Sequence, residues 1–154
     1  MYAFLLALHS LTRWLVLISL LVSIFLGFYG WRKKQPFGSY ANRTRHITAT
    51  IAHIQLVLGI CLYVISPLTE YFRTHFSEAV HERAIRFFGM EHALMMLVGI
   101  TVITIGSVKV KRTAEDTLKY KRMAIWYLAG LLIILSSVPW QFSPLVSRPY
   151  FRAF

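Results

Sequence analysis

Four long apolar segments separated by short basic loops limit what this chain can fold into more than any other feature. They cover about residues 3–31, 47–66, 87–108 and 123–139. A run of roughly 20 apolar residues is long enough to cross the hydrocarbon core of a bilayer as a helix. The pattern therefore predicts an all-α, polytopic membrane protein whose 154 residues form a single transmembrane four-helix bundle domain.

Composition and charge agree with this class and argue against others. The chain is 56% hydrophobic and only 15% charged, which is too little charge to cover a soluble domain of this size. The net charge of +11 lies in the loops between apolar segments, where membrane topology explains it, so we expect no nucleic-acid partner. The single cysteine, Cys61, has no partner for an internal disulfide.

The distribution of lysine and arginine predicts the orientation. The loop after the first segment and the loop after the third are the most basic. Short loops rich in these residues stay on the cytoplasmic side, so both termini are expected outside. This arrangement is typical of a multi-pass protein of the bacterial inner (plasma) membrane, with membrane lipids as its surroundings.

Residues 67–86, between the second and third segments, are amphipathic. Apolar side chains recur at helical spacing among charged ones, which predicts a helix lying on the outer membrane surface. Ser66 is its expected N-cap, with Pro67 at the first helical position. The apolar positions are Leu68, Phe72, Phe76, Val80 and Ala84.

Polar residues inside the apolar segments are the candidate site: His9 and Arg13 in the first, His53 in the second and His92 in the third. Ionisable side chains are costly in lipid, so they usually face the bundle interior and often mark a site. At about 1.5 Å per residue, His9 lies about 9 Å and His92 about 8 Å below the outer helix ends. The two imidazoles are therefore predicted to face each other in one layer. Two such histidines are the axial ligands of many b-type hemes, which makes both candidate metal ligands.

A second, deeper layer is expected from Arg13, one turn below His9, and His53. Arg13 is a candidate to hold a heme propionate or a quinone oxygen, and His53 to relay a proton. The alternative for His53 is an interhelical hydrogen bond. Gln55, two residues from His53, is predicted to face elsewhere.

Neighbours of His92 leave further alternatives open. Met95 and Met96 lie about one turn away, so a His/Met ligand pair competes with simple core packing. Glu91 is a candidate counter-charge for a nearby arginine. The arginines in question are Arg83, Arg86 and Arg13.

These polar residues belong to longer motifs. They are LHSLTRW at residues 8–14, HIQL at 53–56 followed by Gly59, ISP at 65–67, EHALMM at 91–96, and the closing stretch 134–140. In these motifs the chain resembles small bacterial four-helix membrane proteins labelled cytochrome b-like. The resemblance implies heme b and membrane electron transfer, with His9 and His92 carried over as ligands and His53 less directly. Two-heme b cytochromes have two histidine pairs, and the fourth segment here has no histidine, so the resemblance implies at most one heme.

Three functions compete. The first is a b-type heme protein that passes electrons, with quinol as one candidate donor. The second is a non-enzymatic accessory subunit of a larger membrane complex, whose aromatic and basic tail from residue 141 docks on other subunits. The third is a small transporter or proton/metal conduit that uses the buried ionisable residues. The chain shows no nucleotide-binding loop, catalytic triad or paired carboxylates.

Overall fold

The computed structural model describes residues 1–140 and residue 146. This part of the chain is helical and contains no β-strand, so the all-α prediction is confirmed. The tail predicted to dock on a partner lies outside the described residues, apart from residue 146. In chain order the helices are α1 (Tyr2–Lys33), α2 (Ser39–Ile65), α3 (Pro67–Thr74), α4 (Phe76–Ala79), α5 (Arg83–Arg86), a π-helical turn (Phe87–Glu91), α6 (His92–Lys111) and α7 (Asp116–Ser137).

Three helical stretches are long and apolar enough to cross a membrane. They are α1, α2 and the continuous stretch Arg83–Lys111, which joins α5, the π-helical turn and α6. Large apolar side chains on all three point away from the protein, including Phe25 (72% exposed), Val57 (58%) and Leu97 (50%). Such an apolar exterior is stable in lipid rather than in water, which agrees with the predicted membrane protein.

The fourth apolar segment differs from the prediction. Its helix, α7, begins at Asp116 instead of residue 123, so three cations, Lys119, Lys121 and Arg122, lie in its first two turns. The apolar part that remains is short, and α7 is not among the three candidate spans. The same helix carries several of the most buried side chains, including Tyr127 (0% exposed). Helix α7 is therefore a packing element of the interior.

The long helices contact one another in the cyclic order α1, α2, α6, α7. Helix α1 packs on α2 and α7, and α6 packs on α7 and α2, which places α1 and α6 diagonally opposite. Leu20 of α1, Ile103 of α6 and Met123 of α7 are completely buried between them. Residues of α1 and α6 can therefore meet only across the interior.

Close approach of α1 and α7 depends on Gly27. A Cβ atom at this position would lie 2.9 Å from the backbone nitrogen of Ala124. Small residues permit such backbone contact between membrane helices. Backbone has little freedom to move aside, so the position does not accept a side chain without separating the two helices.

We therefore expect Gly27→Ala to lower the free energy of unfolding by about 1–3 kcal/mol, the usual cost of overpacking. Gly38→Ala is the control, because an added Cβ there meets nothing within 4 Å. The free energy can be measured by denaturing-detergent titration followed by circular dichroism. Equal stability of the two variants would contradict the close packing described here.

The predicted surface helix over residues 67–86 is not continuous. Three short helices, α3, α4 and α5, replace it, because the backbone leaves the helical conformation at His75 (φ −126°, ψ 48°) and Glu82 (φ −87°, ψ 106°). Helix α3 does begin at Pro67 after Ser66, but the Ser66 side chain makes no capping hydrogen bond. This segment leads through the π-helical turn directly into α6.

The predicted start of the second helix is also wrong. Helix α2 begins at Ser39, eight residues before the predicted position 47. Arg43, Arg45 and His46 are therefore helical residues and not members of a loop. Their positions on the helix decide which of them are buried.

Candidate functional site

His9 of α1 and His92 of α6 meet across the interior. Their ring centroids are 6.5 Å apart and the ring planes are inclined by 72°. Both side chains are partly buried. The predicted common layer of the two imidazoles is therefore present, and the diagonal placement of α1 and α6 produces it.

The orientation of His92 is fixed by its neighbours. Its Nδ1 atom forms a 2.8 Å hydrogen bond with the backbone carbonyl oxygen of Ser137 in α7. Because a carbonyl only accepts, Nδ1 carries the proton and Nε2 keeps its lone pair. A histidine that donates to a carbonyl in this way is oriented as metal-ligating histidines usually are. Phe87 and Phe88 pack beside the ring, with centroids 5.8 and 6.0 Å away.

The π-helical turn ends immediately before His92. Single turns of this kind are rare and occur mostly at functional sites. Tyr63 of α2 donates a 2.8 Å hydrogen bond to the Gly89 carbonyl within the turn. Gly89 also lies against Phe72 of α3, where a Cβ would be only 2.2 Å from the ring. Tyr63 and Phe72 therefore contact the turn from two different helices, immediately before the candidate ligand His92.

His9 has a different environment. Its Nδ1 atom is buried and has no hydrogen-bond partner among the described residues. Gly59 of α2 faces the ring, and a Cβ at that position would lie 3.4 Å from His9 Cε1. A buried ring nitrogen without a partner is costly, and metal coordination is one way to compensate for that cost.

Gln55 is a site residue that the sequence analysis missed. Its Nε2 donates to the His9 carbonyl oxygen at 2.9 Å, and its Oε1 accepts a hydrogen bond from Thr12 Oγ1. The prediction compared Gln55 only with His53 and placed it elsewhere. The Gln55 side chain does face away from His53, and it faces α1. Thr12 lies between His9 and Arg13 in the opening motif, and this polar residue could have indicated a partner for Gln55 on α1.

We expect Thr12 and Gln55 to be energetically coupled. In a double-mutant cycle of Thr12→Val and Gln55→Leu, the coupling free energy should be about 0.5–1.5 kcal/mol, as for other interhelical hydrogen bonds in membranes. Denaturing-detergent titration of the four proteins measures it. Strictly additive effects would show that this contact does not hold α1 and α2 together.

Arg13 lies one turn from His9 on the same face of α1 and is partly buried. It is near enough to interact electrostatically with both imidazoles. Its guanidinium carbon is 5.4 Å from the ring centroid of Trp14, and Trp14 in turn packs on Trp140 at 6.3 Å. A fixed positive charge therefore adjoins the histidine pair.

The proposed counter-charge of Arg13 is engaged elsewhere. Glu91 accepts a 2.7 Å hydrogen bond from Arg86 Nε, one of the three pairings considered. Arg86 also donates to the Val80 carbonyl at 3.0 Å. Glu91 thus fastens α5 and the π-helical turn, and it belongs to the support of His92.

His53 does not join this layer. Its side chain is exposed on α2, and Nε2 lies 2.8 Å from Thr104 Oγ1 of α6. This is the interhelical hydrogen bond considered as the alternative. Met96 packs against the apolar core, which agrees with the packing alternative for the methionine pair.

A second buried polar cluster lies near the basic end of the helices, and the sequence analysis also missed it. Arg45 of α2 is only 6% exposed and donates through Nη1 to the Ser107 carbonyl oxygen at 3.2 Å and to the Ser107 hydroxyl. Tyr127, completely buried, donates to the Arg45 carbonyl at 2.8 Å. Beside them, Ser23 and Thr48 are 2.8 Å apart. Arg45 was not recognised as a buried residue because the second helix was predicted to start after it, which placed Arg45 in a loop.

The donor set restricts the kind of metal that fits. Residues 1–140 and residue 146 contain no group of three or more His, Cys, Asp or Glu side chains able to hold a metal ion. Two imidazoles alone do not complete a structural zinc site, which needs four ligands. They do suit an iron that brings its other ligands with a porphyrin. Comparison of the chain with protein-family models, curated proteins and solved structures finds no match.

Proposed function

We propose that this chain is a multi-pass membrane protein that binds one heme b between His9 and His92 and takes part in electron transfer. The observation that supports it is the 6.5 Å separation of the two ring centroids. An imidazole nitrogen lies about 1.1 Å from its ring centroid and binds a metal at about 2.0 Å. Two imidazoles on opposite sides of one metal ion therefore have centroids roughly 6 Å apart, close to the observed spacing.

The surroundings of the pair also support a heme ligand role. The Ser137 carbonyl oxygen leaves Nε2 of His92 as the ring nitrogen available to a metal. His9 contributes a buried Nδ1 that has no hydrogen-bond partner among the described residues, and Gly59 leaves room beside its ring. The rings of His9 and His92 are inclined by 72°, and each would hold the iron of a heme through one ring nitrogen.

The protein residues would have distinct tasks. His9 and His92 would hold the iron from α1 and α6, and Arg13 would bind a propionate carboxylate as its counter-charge. Trp14 and Trp140 would shield this end of the interior from water. Bound heme would supply reversible one-electron chemistry at a potential set by its axial ligands and burial.

The proposed topology has all four long helices crossing the inner membrane of a bacterium as a four-helix bundle, with both termini outside. Support comes from the packing of α7 against both α1 and α6, two helices that are long and apolar enough to cross a membrane. The cations at the ends of α1 and α6 and at the start of α7 cluster at one end, which the positive-inside rule assigns to the cytoplasm.

A proton or metal conduit is less well supported. The histidine pair with Arg13 and the Arg45 cluster are separated along α1 by buried Leu17 and Leu20. Ile103 of α6, completely buried, closes the same level. A path for ions would need polar groups through this apolar layer.

The direct test is a visible absorption spectrum of the protein purified from cells supplied with heme. We expect about one heme per chain, an absorption band in the rough window 400–450 nm, and sharpening of the longer-wavelength bands on reduction with dithionite. Protein that is folded by circular dichroism yet binds no added heme would overturn the proposal.

A further inference from the structure

A cleft of about 230 Å³ opens between α2 and α6 near their basic ends. It is separate from the histidine pair, and no task in the proposed heme site uses it. Its lining combines basic side chains with hydroxyl groups and a few apolar carbons. Among the residues that line it are Arg45, Thr50, Thr104, Ser107, Val108 and Lys111.

The charge in this cleft is all of one sign. Arg45 and Lys111 are cations, and none of the described residues that line the cleft is acidic. Among the described residues, the side chain of the buried Arg45 donates to neutral acceptors: Asn42 Oδ1 at 3.1 and 2.9 Å, the Ser107 carbonyl oxygen at 3.2 Å and the Ser107 hydroxyl. Its charge is thus oriented by the protein but not neutralised by it.

The position of the cleft identifies the kind of anion. Val108, which lines it, is 41% exposed, and Ile47 and Ile54 of α2 are more than half exposed. These are side chains of the apolar exterior. The cleft therefore lies where that exterior meets the basic end, at the depth of lipid headgroups. A phosphate placed there can have its acyl chains along α2 and α6.

We propose that this cleft is a binding site for the phosphate group of an anionic phospholipid. Arg45 and Lys111 provide both the positive charge and the N–H groups that donate hydrogen bonds to the phosphate oxygens. Phosphate bound here would neutralise the positive charge of the buried Arg45. Because it would contact both α2 and α6, it would also hold these two helices together at the end opposite the histidine pair. The proposal does not depend on heme binding.

A neighbouring cleft of about 340 Å³ extends the same basic surface. It shares Lys111 with the first cleft and reaches Gly38 and Ser39 at the N-terminus of α2. Its polar lining also includes Asn42 and Lys119, and Lys119 forms a 2.8 Å ion pair with Asp116. Backbone N–H groups at a helix N-terminus favour anions, so a phosphate oxygen that reaches this cleft also meets hydrogen-bond donors.

The test is native mass spectrometry of the intact protein in mixed micelles containing either phosphatidylglycerol or phosphatidylcholine. We expect specific retention of phosphatidylglycerol and an apparent affinity about fivefold lower in Lys111→Gln, the effect of one cation near a membrane surface. Arg112→Gln is the matched control. It removes the same charge from the next residue, which does not line either cleft, and should leave the affinity unchanged.

Three results would overturn the proposal: equal retention of phosphatidylcholine, equal losses in the two variants, or inorganic phosphate that competes as strongly as the lipid. The last result would indicate a site for a free anion. Heme content should be the same in wild type, Lys111→Gln and Arg112→Gln. A protein that binds lipid as expected but lacks heme would contradict only the proposed function.

Discussion

Replacing His92 by alanine should remove heme from the purified protein, while replacing His53 by alanine should leave it in place. His92 faces His9 at 6.5 Å, whereas His53 is exposed and hydrogen-bonded to Thr104. Loss of an axial ligand removes a bond to the iron, and we expect the ratio of heme to protein to fall more than tenfold. Absorbance of the pyridine complex of the heme, divided by protein concentration, measures that ratio.

His9→Ala should have the same effect as His92→Ala, since in the proposed site each histidine would provide one bond to the iron. Heme added together with imidazole should partly restore a low-spin spectrum in both variants, because imidazole replaces the missing side chain. Circular dichroism of each variant shows whether the helices are retained. Heme loss in His53→Ala with retention in folded His92→Ala would show that the assignment of the ligands is wrong.

The second large effect concerns the buried Arg45. Ser107→Val should lower the free energy of unfolding by about 2–3 kcal/mol, because it removes a hydroxyl acceptor from a buried guanidinium. Ser107→Thr has nearly the same shape as the valine variant and keeps the hydroxyl group. It should lie within about 1 kcal/mol of the wild type.

Denaturing-detergent titration of the two variants separates hydrogen bonding from steric effects. If the bond to Arg45 stabilises the fold, only the valine variant loses stability. Equal destabilisation by valine and threonine would show that the extra methyl group, and not the lost acceptor, is responsible.

Sequence reasoning located the histidine pair because it needed only the rise along straight helices. Counting residues from the outer ends placed His9 and His92 at one depth, and depth is conserved when such helices pack. The direction in which a side chain faces around its helix was harder to predict. Gln55 was left out of the candidate site because it does not share a helix face with His53. Its contact with the site depends instead on where α1 lies relative to α2, which only tertiary packing determines.

The errors in helix boundaries have physical reasons as well. Arg43, Arg45 and His46 indicated a loop, yet Arg45 is stabilised inside a helix by Ser107 of a neighbouring helix. The surface segment has an unbroken amphipathic pattern. No proline or glycine lies at His75, where the helix breaks, so the sequence did not indicate this break. Likewise, the cations in the first turns of α7 make its apolar part shorter, and α7 is therefore not among the helices long and apolar enough to cross a membrane.

The extra residue in the turn Phe87–Glu91 has a consequence for tolerance to insertion and deletion. A π-helical turn holds one residue more than an α-helical turn, so removing one residue can convert it to regular α-helix. The helix on both sides of the turn would then keep its direction, whereas a deletion within a regular α-helix rotates one side against the other by about 100°. The segment before His92 can therefore lose a residue at this turn while the imidazole of α6 still faces α1.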